Sequence, residues 1–135
     1  MLTKHQLELA DAKMVAAAAS GAARENGWNV VIAILDDGGN LLYLERMDGT
    51  QLASVTVAVE KGRTAIMFKR PSKAIEDMVA GGRSVMMTLP GATPIEGGLP
   101  LTYKGEIVGA IGVSGVQSFQ DGIVAKAGAD RLAAI

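Results

Sequence analysis

His5 is the only histidine in the chain and cysteine is absent. Thiolate nucleophiles, disulfides, zinc fingers, iron–sulfur ligation and any multi-histidine metal site are therefore excluded together. His5 has two readings: an exposed residue near the terminus, or an axial ligand to haem iron. Seven methionines add thioethers that could also meet iron but mostly fill gaps in cores. A Ser–His–Asp triad would have to use His5, and no GxSxG elbow surrounds Ser114 or Ser118. Four further groups carry charge or conformational freedom. In LERMDG, residues 44–49, Arg46 and Asp48 stand at the end of an apolar run. They either grip an anionic group or contact each other and organise the turn at Gly49. In EKGRT, residues 60–64, Lys61 and Arg63 either form a solvated helix face or turn Lys61 toward a sheet. Helical spacing puts Val57, Lys61 and Thr64 on one side, where Lys61 could hold a carboxylate or propionate. Glu96, between Pro94 and Gly97-Gly98, is either a loop residue or a general base. In GAIGVSG, Gly109, Gly112 and Gly115 recur every third residue and mark either close packing or approach by a ligand. They match neither GxGxxG nor a phosphate loop.

The elements that position these groups follow from periodicity and breakers. Thr3 with Gln6 predicts a capping box, and Leu2 with Leu7 a staple, for a first helix that holds His5 in its first turn. Leu7, Ala10, Met14, Ala17 and Ala18 form its expected apolar stripe, and Gly27 its stop. VVIAIL, residues 30–35, predicts a central strand covered on both faces. A turn over residues 37–40 leads to a hairpin partner from Leu41, with the aspartates explained by that turn. Helices are expected over 52–69, ended by Pro71, and over 72–80, stopped by Gly81-Gly82. Residues 83–100 are irregular and hold three of the four prolines. LTY, the Lys104-Gly105 turn and EIVGAIGVSG predict a second hairpin. Ser118 and Asp121 resemble a capping pair for a closing helix over 119–132. Two hairpins separated by helices predict an antiparallel α+β sheet rather than a doubly wound one.

The 135 residues fit one domain, 1–135, with 49% hydrophobic residues and a mean hydropathy of +0.27. Thirteen basic against fourteen acidic residues, and 4% aromatics, give no footprint for nucleic acid. No stretch reads as a membrane span, and the charged first residues do not read as a signal peptide. The expected location is the cytoplasm.

LDDGGNLLYLERMDG, then Ser54 and Lys61, PGATPI, and GEIVGAIGVSG followed by Asp121 resemble the GlcG/HbpS haem-binding family. The chain is also similar to the carboxy-terminal part of PduO-type cobalamin adenosyltransferases, and the resemblance runs from about Leu2 to Leu132. It implies a profilin-like antiparallel sheet of about five strands with helices on both faces, the fifth strand falling around residues 94–99. It further implies homo-oligomers and, for several members, bound haem. Arg46, Asp48, Gly49, Lys61, Gly112, Ser114 and Gly115 match as a shared pocket or a fold signature. The function expected is binding of a small molecule, haem or a related tetrapyrrole, with Arg46 and Lys61 at the propionates and His5 or a methionine at iron. The alternative is an isomerase or lyase in which Arg46 or Lys61 anchors a carboxylic acid and Glu96 moves a proton.

Overall fold

The computed structural model describes residues 1–135. Its elements are α1 (Leu9–Glu25), β1 (Val31–Asp36), β2 (Leu41–Arg46), α2 (Ser54–Phe68), α3 (Ser72–Ala80), β3 (Gly98–Tyr103), β4 (Glu106–Ser114) and α4 (Ser118–Ala133). The four strands form one antiparallel sheet in the order β2-β1-β4-β3. β1 is central, and its first five residues are fully buried because helices cover both faces. α1 and α4 pack together on one face around Val15, Ile32, Ile34, Ile111 and Val124, while α2 packs on the other. No helix is long and apolar enough to cross a membrane.

Four strands stand where about five were expected. Gly98, Leu99 and Pro100 do not form a separate strand; they continue into Leu101 as the first half of β3, paired with β4 from Gly112 to Ala110. The rest of the irregular segment is a 3-10 turn, Ser84–Thr88, and a loop fastened by hydroxyls. Thr64 Oγ1 accepts from the Thr93 amide at 2.8 Å, and Ser72 Oγ donates to Ile95 O at 2.6 Å. PGATPI is thus a stapled connection.

The start of α1 also differs. Glu8, not Thr3, is the N-cap, with Asp11 closing the capping box by accepting from the Glu8 amide at 2.8 Å. Residues 1–8 precede the helix as a strap, so His5 lies outside the first turn. The buried face becomes Ala12, Val15, Ala16, Ala19 and Ala23, leaving Ala10 and Ala17 exposed. An alanine-rich helix offers little contrast between faces, so a shifted start shifts the stripe unnoticed. Its end is as expected: Gly27, at φ +72°, closes a Schellman pair, Trp28 N–H to Ala23 O and Gly27 N–H to Arg24 O. In α4 the capping pair is Gln117 with Gln120, and Ser118 is already helical, which frees the Asp121 carboxylate for another partner.

Both hairpin turns follow their residues. Asp36 Oδ1 accepts from the Gly38 and Asn40 amides at 3.0 and 2.9 Å. Lys104 and Gly105 both take positive φ, as a two-residue type I′ turn requires.

Candidate functional site

Two polar centres lie at opposite ends of β4, at Val113 and Glu106, about 23 Å apart at roughly 3.3 Å per residue. The first is buried. α2 crosses β4 and β3 at glycines: a Cβ on Gly112 would strike the carbonyl of Ala58, and one on Gly98 the carbonyl of Lys61. Helix backbone rests on strand backbone there, so within GAIGVSG it is Gly112 that packs on α2, while Gly109 lies against Leu35 and Leu7 and none of the three meets an alanine of α1. Gly97, at φ +135°, clears the path of the Lys61 side chain. Lys61 turns inward, as its shared face with Thr64 allows, and its Nζ donates to Asp121 Oδ2 at 3.0 Å and Val113 O at 3.1 Å. Both side chains of the pair are only 2% exposed. Asp121 Oδ1 accepts from the Val116 amide at 3.1 Å. Burial pushes the Asp121 carboxyl up from its ordinary range, while the Lys61 ammonium and the Val116 amide pull it back.

Glu96 is half-buried beside this pair, with its carboxyl against Gly122 of α4 and its amide donating to Glu76 Oε1 at 3.1 Å. Desolvation raises its pKa, opposed first by Lys73 and reinforced by Glu76 and Asp77. Ser114 is also buried and donates to Ser54 Oγ at 3.1 Å. Gly115 backs onto Asn29 and Val30. Arg46 and Asp48 stand apart from all of these, exposed at the outer edge of the sheet and joined to neither each other nor another charge. Of the residues singled out in sequence, Lys61 and Glu96 lie together, whereas Arg46, Asp48 and His5 stand elsewhere. Lys61, Gly112 and Ser114 join α2 to β4, Lys61 also reaches α4 through Asp121, and its ammonium is enclosed between Asp121 and Val113.

The second centre is concave and accessible. The strap, the β3–β4 hairpin and the end of α4 enclose a cavity of about 300 Å³ lined by His5, Leu7, Tyr103, Val108, Leu132 and Ile135, with Gln6, Glu8 and Asp11 at its polar side. This volume is at the lower end of the roughly 300–1,000 Å³ typical of small-molecule sites. His5 Nδ1 lies 2.9 Å from Glu106 Oε2, and its ring meets Tyr103 edge-on at 5.0 Å between centroids. Nε2 has no protein partner, and the His5 side chain is 61% exposed. The hydrogen bond from His5 holds the Glu106 carboxyl below its usual range. Lys104 Nζ sits 5.2 Å from the centre of the Tyr103 ring. Of this centre only His5 was singled out from the sequence. Tyr103 and Glu106 had a signal, since a two-residue turn at 104–105 makes them cross-strand partners, as they are.

A family model, "Haem degrading protein HbpS-like", matches residues 7–130. The chain belongs to the HbpS-like family. Protein GlcG of Escherichia coli strain K12 is 44% identical over 114 residues, 84% of this chain and 85% of that one. A doubly substituted HbpS from Streptomyces reticuli superposes with a TM-score of 0.88 at 33% identity, covering 98% of this chain and 90% of that one. The crystal structure of a PduOC:heme complex gives a TM-score of 0.84 at 25% identity, over 94% and 95% of the two chains. The HbpS-like fold thus carries haem in at least one solved relative.

Proposed function

We propose that this HbpS-like chain binds haem or a related tetrapyrrole in the cavity under the strap, with His5 Nε2 as the axial ligand. The observation that carries the reading is the imidazole itself. Its Nδ1 is engaged by Glu106 and its Nε2 is without a partner beside an apolar wall of Leu7, Val108, Leu132 and Ile135. The residues fit a flat apolar ligand with one coordinating nitrogen. Lys104, beside Tyr103 at the cavity, is a cation that would suit a propionate there, besides Lys61 and Arg46. A cavity this small holds part of a porphyrin and leaves the rest for solvent or a second copy, in keeping with the expected homo-oligomer. When bound, haem supplies a redox-active iron. Of the two anchors of the enzyme alternative, the Lys61 ammonium is already committed to Asp121 and Val113, which leaves only the exposed Arg46.

The test is a haemin titration with a His5→Ala control, run in the cytoplasm-like reducing conditions this chain is expected to meet. A saturable Soret shift at one haem per chain or per dimer, weakened in His5→Ala, supports the reading. A weak, non-saturating shift overturns it.

A further inference from the structure

Glu106 holds His5 at two points: the His5 amide donates to Oε1 at 3.2 Å and the ring Nδ1 lies 2.9 Å from Oε2. A carboxylate only accepts hydrogen bonds, so the proton of that contact belongs to Nδ1. A neutral imidazole carries one ring proton, and placing it on Nδ1 leaves the lone pair of Nε2 free. Free imidazole side chains favour the opposite tautomer, so the protein has to impose this one. The strap around His5 is pinned on both sides: Lys4 pairs with Asp37 at 2.8 Å, and Leu7 is buried over Gly109, where a Cβ would meet it. The Tyr103 ring edge limits rotation of the imidazole.

We propose that Glu106 is the positioning residue for His5, fixing it as the Nδ1–H tautomer so that Nε2 is presented as a ready donor to a ferric tetrapyrrole. The tetrapyrrole part rests on the reading above; the tautomer is a property of the ligand-free chain. Partners of this kind orient a metal-binding histidine and strengthen it as a donor.

Because His5 is the only histidine, a long-range proton–nitrogen correlation spectrum shows one pair of ring nitrogens. The spectrum is taken without ligand at a pH of about 8.5, on the alkaline side of the pH 5 to 8 range in which imidazoles change charge. The expected pattern is a protonated Nδ1 and a bare Nε2. In Glu106→Leu, with Lys4–Asp37 and Leu7 still holding the strap, the Nε2–H form takes over and haemin affinity falls by about 10- to 100-fold. An Nε2–H pattern in the parent, or unchanged ring nitrogens in Glu106→Leu, overturns the proposal. If the nitrogens behave as expected and the parent does not take up haemin, the tetrapyrrole reading falls and the positioning role stands.

Discussion

Replacing Lys61 with methionine keeps most of the volume and leaves Asp121 buried beside a carbonyl with no counter-charge. Loss of one partner of such a pair costs about 3–5 kcal/mol, and both side chains here are shielded from water, so the upper part of that range applies. Urea denaturation should show that loss in Lys61→Met, and a smaller loss in Lys61→Met/Asp121→Asn than the two single losses added together. Glu96 gives a pH signature. Its folded-state pKa is raised by desolvation, so the folded chain keeps that proton to a higher pH than the unfolded chain. Its contribution to stability is full below the ordinary glutamate value of about 4.3 and is lost as pH rises through the raised value. Parent minus Glu96→Gln stability should therefore fall across that window and then level off; a difference that grows with pH contradicts the assignment. At this scale the sequence named candidate groups and was silent about their partners. The face shared with Thr64 left Lys61 open between solvent and the sheet, and Asp121 was given to a helix cap. A separation of sixty residues leaves no local trace.

Elements fared better because their signals are local. Central β1, both hairpin turns, α3 and the Gly27 stop were all legible, each from a run of residues that chooses its own backbone. The start of α1 and the supposed fifth strand were not: Thr3 is the better cap by residue type, and the helix starts at Leu9 with Leu7 docked in the core and Lys4 paired with Asp37. The crossing of α2 over the sheet yields a paired prediction. Gly112→Ala places a methyl group into the backbone of α2 at Ala58 and should cost about 3 kcal/mol or more. Gly21→Ala, in the middle of α1 with open space around it, should instead stabilise by about 0.5–1 kcal/mol. Thermal melts of the two variants should move in opposite directions. Glycines spaced alike in sequence need not be alike in structure, and GAIGVSG alone could not distinguish packing from ligand approach.

For the molecule as a whole, the buried pair and the strap cavity stand apart: one end of β4 fastens the layers, and the other borders an open cavity. Deleting residues 2–6 should shift the melting temperature by only a few degrees, because Leu7 and the core remain, yet remove haemin uptake with His5. A large loss of stability would mean the strap is part of the core. The helix resting on bare strand backbone has a consequence in time as well as in energy. Where α2 rests on Gly112 no side chain stands between the two backbones and nothing there can swing aside, so solvent reaches the amides of residues 110–113 only when the two layers part completely. Those amides should exchange with deuterium at the rate of global unfolding, while those of the strap exchange orders of magnitude sooner. The chain would then keep two clocks, a slow one at its glycine crossing and a fast one at its histidine.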